Sequence, residues 1–278
     1  NTIAFFIQAI VVLAEVWFIS KLGTTSLAAV ALAFPIIMLT QQMAFGALGG
    51  AVSSSIARSL GAEDKERAEK LLWHSLLLSC CGYLLFFLIF FIGGESLLMA
   101  LGGEGSLLEE SLLYIKIFLA GAIFIWLSGT LSAALRGIGN MRFPALLMIL
   151  GSGIQVILAG GLILGWFGLP KLGIIGAPLS AISVAAFMAI VMIFKFMHSS
   201  SNVQLKLSNL SFKKELFRDI FNVALPASLA PIFTVGTILI LTGLVGQFGV
   251  SALAGYGIGS RIEFLMIPLV FGIGTAMT

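Results

Sequence analysis

Glu15 is the one acidic side chain in the apolar stretch TIAFFIQAIVVLAEVWFIS, residues 2 to 20, which holds no basic residue at all. A carboxylate at membrane depth costs on the order of 3 kcal/mol, so its presence there points to an ion or substrate pathway. On a helix Gln8 lies seven residues earlier on nearly the same face, which lets the two line one interior polar stripe. Burial in apolar surroundings favours the neutral form of a carboxyl group, the property a proton carrier needs. A competing role is snorkelling, because Lys21 follows six residues later and Glu15 has an outer interface within reach. Arg261 and Glu263 are the other ionisable residues at depth. Two positions apart on a helix they point in different directions, so each needs another partner or a water-filled cavity. Contact with a substrate and a structural place near the interface are both open to them. Phe34, Met38, Phe45, Trp126, Phe264 and Met266 are side chains able to line an adaptable apolar cavity, or else to face lipid.

The elements that must hold these residues are membrane helices. With 59% hydrophobic and 10% charged residues and a mean hydropathy of +1.13, the composition excludes a soluble core with a wettable surface. Apolar windows of membrane length fall at about 2–20, 27–56, 71–92, 112–134, 143–168, 172–197, 222–246 and 253–278. Gly46, Gly49, Gly50, Pro178, Pro226 and Pro231 lie inside them, as membrane helices tolerate. The expected fold is an all-α, polytopic membrane protein. No cleaved signal peptide is expected, since the first segment lacks a basic start and a convincing cleavage site.

Other chemistries find little support. Cys80 and Cys81 are adjacent in an apolar segment, which suits small apolar filler and neither a disulfide framework nor a metal site. His74 and His198 sit at segment ends, and no paired-acid, His-Glu or Ser-His constellation occurs at membrane depth, so an intramembrane enzyme is the last choice. No cofactor or metal is expected. The net charge of +3 is a topology signal and no sign of nucleic-acid binding, because the basic residues flank membrane segments.

Those basic residues alternate from loop to loop. One side holds Arg58, Lys65, Arg67, Lys70, Arg136, Arg142, Lys195, Lys206, Lys213, Lys214 and Arg218. The other has little beyond Lys21 and Lys171, and its stretch GGESLLMALGGEGSLLEE (93–110) is acidic. Positive-inside therefore puts the chain start and the even-numbered segment exits in the cytoplasm. The turn in RSLGAEDKERAEK, with acid before base, and the tight turn in RGIGNMR are structural readings without chemistry. The longest polar run, HSSSNVQLKLSNLSFKKELFRD (198–219), reads as a linker containing an interfacial helical turn or two, marked by Leu205, Leu207, Phe212, Leu216 and Phe217. It divides a six-helix lobe, 1–198, from a linker, 199–221, and the first two helices of a second lobe, 222–278.

A repeat spans that joint. Shifted by 226 positions, residues 21–52 align without gaps on 247–278, with identities at Gly23/Gly249, Leu27/Leu253, Ala28/Ala254, Ile36/Ile262, Leu39/Leu265, Phe45/Phe271 and Gly46/Gly272. Chance in so biased a composition gives roughly two or three. Because the copies start six segments apart, an even number, they face the same way: a parallel repeat about an axis along the membrane normal, as in two-lobed alternating-access transporters. The chain begins close to or inside the first helix of one copy and stops inside the second helix of the other, so it reads as a fragment lacking about four helices.

The blocks LAEVWFISKLGTTSLAAVALAFPI, SSSIARSLGAEDKERAEK, LSAALRGIGNMRFPALL, LGIIGAPLSA and NVALPASLAP resemble, in order and spacing, the multidrug and toxic compound extrusion (MATE) family. The resemblance covers essentially the whole chain. It implies a twelve-helix antiporter that exports organic, often cationic or amphipathic small molecules across a prokaryotic plasma membrane in exchange for protons or sodium ions. Glu15 then stands where the family commonly has an acid in its first helix, often an Asp. In GSGIQVILAGGLIL (151–164), Gln155 stands at a position where many members have Asn, while Ala159 and Gly160 replace their Asp-Pro. With one carboxylate and not two, a desolvated sodium site loses ground to a single protonatable Glu15 assisted by Gln155. A lipid-linked precursor flippase of the same superfamily is the alternative. It would want a basic cavity for pyrophosphate, and inward Arg and Lys are nearly absent from the first six segments.

Overall fold

Long apolar runs in lipid must satisfy their backbone internally, and the chain does so as helices. A computed structural model describes residues 2–198, 203–206, 209 and 212–263, and among them there is no strand. The helices are α1 (Thr2–Ser20), α2 (Thr24–Gln41), a π-helical segment (Gln42–Leu48), α3 (Gly49–Gly61), α4 (Lys65–Ala100) and α5 (Gly105–Gly137). They are followed by α6 (Arg142–Leu164), α7 (Gly176–His198), α8 (Lys214–Gly246) and α9 (Val250–Glu263). Thr24–Gly61, Lys65–Ala100, Gly105–Gly137, Arg142–Leu164, Gly173–Met197 and Lys214–Gly246 are each long and apolar enough to cross a membrane. The 19-residue α1 adds about 28 Å of apolar helix, and the protein is multi-pass.

Turn chemistry sets the boundaries. Asp64 Oδ1 accepts the Arg67 N–H at 2.9 Å and starts α4. Asn140 Oδ1 takes the Phe143 N–H at 3.1 Å before α6, which ends on Gly165 at φ 80°. Buried hydroxyls return to their own helix, as Thr40 does to the Ile36 carbonyl at 2.9 Å and Thr242 to Ile238 at 2.7 Å. The 36 residues of α4 measure about 54 Å, well beyond the hydrocarbon thickness. The acidic stretch expected as a loop over 93–110 is accordingly helix on both sides of a short turn at 101–104.

Two apolar cores hold the bundle. One gathers Ile19, Leu32, Ile36, Leu98 and Phe118, and the other Leu72, Trp126, Leu131, Leu135 and Phe196. Trp126 therefore lines neither cavity nor lipid; it is buried against Phe86 and the Gly82 backbone. Cys80 and Cys81 are exposed, free thiols on α4, beside a face of Leu84, Leu85, Leu88, Ile89 and Ile92 that is exposed among the described residues. The π segment carried no sequence signal. It packs on α5 and α8.

The polar run between α7 and α8 docks on the start of α4. Buried Glu69 accepts the Gln204 N–H at 3.1 Å and a bond from Asn209 Nδ2. Trp73 Nε1 donates to the Lys206 carbonyl at 2.9 Å, and Arg67 pairs with Asp219. His74 bridges Lys70 O (2.7 Å) and the Lys213 N–H (3.0 Å), which requires the neutral tautomer with its proton on Nδ1. Of the residues expected to mark helical turns in this run, Leu216 and Phe217 lie at the start of α8, with Leu216 buried, while Leu205 and Phe212 are non-helical and Leu207 lies outside the described residues.

The 226-residue repeat is visible in local geometry. It carries the α1 end, Ser20, onto the α8 end, Gly246, and the α2 start, Thr24, onto the α9 start, Val250. Gly23 and Gly249 both have positive φ, 125° and 92°. Leu22 N–H to Ile19 O at 2.9 Å repeats as Phe248 N–H to Val245 O at 3.0 Å. Helices α2 and α9 pack on each other where Ala31 faces Gly257, its own equivalent under the shift: a Cβ on Gly257 would lie 2.4 Å from the Ala31 Cβ. A residue meets its own equivalent only near a two-fold axis. Helix α9 runs unbroken through Gly255, Gly257 and Gly259, and Gly257 serves close packing.

Candidate functional site

Glu15 is placed by its neighbours on α1. Val16, Phe18 and Ile19 are buried, with Phe18 edge-on to Trp166 at 5.4 Å and close to Gly160 of α6. Trp17 packs on Phe18 and Trp166 as well, at 5.4 and 6.2 Å, and Lys21 Nζ sits 5.0 Å over its ring. Lys21 thus rests on Trp17, and among the described residues it makes no ion pair with Glu15. Glu15 turns inward, partly buried, and its Oε1 accepts the Tyr114 hydroxyl at 3.2 Å.

Tyr114 belongs to α5 and is 4% exposed. One turn earlier the single Ser111 hydroxyl proton is shared between Leu107 O of its own helix at 2.7 Å and the α2 carbonyl of Ala29 at 3.2 Å, which ties α5 to α2 and sets the phenol's position. Across from them, Arg261 of α9 is 7% exposed. Its guanidinium lies 5.2 Å over the Phe34 ring of α2, and its Nε is buried with no acceptor among the described residues. Arg261 stands within the electrostatic field of both Glu15 and Tyr114, yet among the described residues no ion pair joins it to Glu15. Helices from both sides of the linker thus meet at one buried set of charges.

The other expected participants fare differently. Gln155 lies half-buried on α6, the helix that packs on α1, but among the described residues it makes no hydrogen bond to Glu15. Met38 is half-buried one turn after Phe34 on the same face of α2. Gln8 and Glu263 lie in helices, with their side chains outside the described residues; Phe264 and Met266 lie outside them altogether. Ala159, in place of a second acid, is buried in the core. Among the described residues no three His, Cys, Asp or Glu side chains converge as a metal site. Sequence reasoning missed Tyr114, although a tyrosine inside an apolar segment signals a hydroxyl in need of a partner.

The MatE family model matches residues 2–160. The chain belongs to the MatE family. Among its relatives, the FAD transporter of Shewanella oneidensis is 26% identical over 275 residues, covering 95% of this chain and 58% of the relative. The probable multidrug resistance protein YoeA of Bacillus subtilis is 28% identical, covering 92% and 56%. The chain spans about half the length of the curated relatives it matches. Among solved structures, the inward-facing conformation of a multidrug resistance MATE family transporter of the MOP superfamily superposes with a TM-score of 0.87 at 30% identity, covering 94% of this chain and 59% of that one. The buried charges on α1 and α9 are therefore features of a MatE bundle, built on the helices that carry the repeat.

Proposed function

We propose that this chain is part of a secondary active transporter that exports organic, amphipathic compounds in exchange for protons, with Glu15 carrying the coupling proton. The observation that carries this reading is the Glu15 carboxylate, lodged inside the bundle on the Tyr114 hydroxyl and facing Arg261 of the second repeat. A proton and a substrate that compete for one group are coupled, and two helix sets rocking about that group give alternating access. Sodium is the lesser choice, since Ala159 supplies no second carboxylate. The relatives' names run from a phosphate-bearing dinucleotide to multiple drugs, so organic small molecules are the supported class. A flippase handling pyrophosphate would want several cationic side chains; Arg261 is the guanidinium at this site. The end of the bundle where the basic loops gather also holds the docked linker, and positive-inside puts that end and the N-terminus in the cytoplasm of a prokaryotic cell.

The test is Glu15→Gln in proteoliposomes holding the protein in its natural length. Export driven by a pH gradient is lost while insertion and folding persist. Undiminished proton-coupled export by the variant, or strict sodium dependence of the wild type with no response to a pH gradient, would refute the reading.

A further inference from the structure

We propose that Glu15 and Arg261 together select zwitterionic substrates, the carboxylate taking the cationic end and the guanidinium the anionic end. The inference rests on the transport function proposed above and names its substrate class. Arg261 is 7% exposed, and among the described residues its fully buried Nε has no acceptor. A buried charged donor without a partner is costly, and a carboxylate or phosphate oxygen is the partner its planar fork fits. Phe34 covers the guanidinium at 5.2 Å from its own helix and offers an apolar wall to the body of an amphipathic ligand.

The charge balance excludes the simpler classes. Among the described residues, the groups facing Glu15 with a charge or a titratable proton are Tyr114 on α5 and Arg261 on α9; α2 carries none, and α6 only Arg142 at its far end. A bare cation drawn to Glu15 meets the positive field of Arg261, and a bare anion drawn to Arg261 meets the field of Glu15. Each leaves a net charge at membrane depth, where it is least tolerated. A zwitterion satisfies both groups and leaves the site neutral. It also gives the right sense of coupling. A proton on Glu15 removes the attraction for the cationic end, so proton and zwitterion compete, as exchange requires. For a bare anion the same proton would remove a repulsion, and the two would travel together. The carboxylate and guanidinium come from opposite sides of the linker and form no ion pair, so lobe movement sets the distance between them.

The experiment uses one xanthylium dye as its methyl ester, a cation, and as its free acid, a zwitterion, with fluorescein as the anion. Each is offered to proteoliposomes containing the protein in its natural length under a pH gradient. The wild type exchanges the free acid for protons roughly tenfold faster than the ester or fluorescein. Arg261→Gln reverses the order of the acid and the ester, and Arg261→Lys, which keeps the charge, preserves it. Proton exchange for the ester at a rate equal to or above that for the acid overturns this inference and leaves proton antiport standing. An Arg261→Gln variant that loses all dyes by one factor, or an Arg261→Lys variant that folds but loses the preference, overturns it as well. Movement of none of the dyes by the wild type removes the transport reading and this inference with it.

Discussion

Replacing Gly257 with alanine puts a methyl carbon 2.4 Å from the Ala31 Cβ, at the crossing of α2 and α9. Carbon atoms rest about 3.5 to 4.0 Å apart, so one helix must yield by more than an ångström. Overpacking of this kind costs about 1 to 3 kcal/mol, offset by up to about 1 kcal/mol of helix propensity gained over glycine. Gly259 supplies the control, since a Cβ there meets nothing within 4 Å. Both substitutions gain the same propensity, and their difference isolates the crossing. It amounts to roughly a 5- to 150-fold shift against the closely packed form. Spin labels at the exposed repeat-equivalent positions Thr24 and Val250, in a background with Cys80 and Cys81 replaced by serine, report the separation of the helix starts. Gly257→Ala should lengthen that distance or lower the melting temperature, while Gly259→Ala does neither. The exchange Ala31→Gly with Gly257→Ala moves the methyl to the other helix and should restore both readings. Identical behaviour of the Gly257 and Gly259 variants would refute the axial contact.

Gly246→Ala drives a Cβ to 2.2 Å from the Leu101 carbonyl oxygen, a backbone atom that cannot swing aside, and thermal unfolding should show a greater loss than for Gly257→Ala. Tyr114→Phe strips Glu15 of a hydrogen bond worth about 1.5 to 3 kcal/mol where the carboxylate is charged; a melting temperature equal to wild type would remove Tyr114 from the site. Glu69→Ala leaves the Gln204 N–H and Asn209 amide without their acceptor, so proteolysis between α7 and α8 should accelerate while the helices resist.

Much of the architecture was legible because the bilayer permits few solutions. Apolar length, Lys and Arg distribution and the repeat are properties of the chain in one dimension, and they led directly to the spans and to the equivalence of α1–α2 with α8–α9. The turns in RSLGAEDKERAEK and RGIGNMR were legible because turn chemistry is confined to a few residues, and there Asp64 and Asn140 cap the helices that follow. Glu15 stood out for the same reason: its cost depends on its own surroundings in sequence.

The partners of Glu15 did not stand out, because helical periodicity tells which face a residue occupies but not which helix lies opposite. Gln155 was the expected helper, yet the phenol of Tyr114 holds the carboxylate, since Ser111 ties α5 to α2 at that height. Sequence left Arg261 open between substrate and interface; packing at Gly257 sets α9 on α2 with the guanidinium over Phe34, a neighbour no periodicity could name. The π segment left no trace in residue pattern, being a change of hydrogen-bond register within an uninterrupted apolar helix. Sequence by itself determined that the chain is a repeated membrane bundle with one carboxylate, Glu15, in its first apolar segment. Only the tertiary structure decided that a buried guanidinium from the second repeat faces it, because contacts across 246 residues depend on how helices close around an axis.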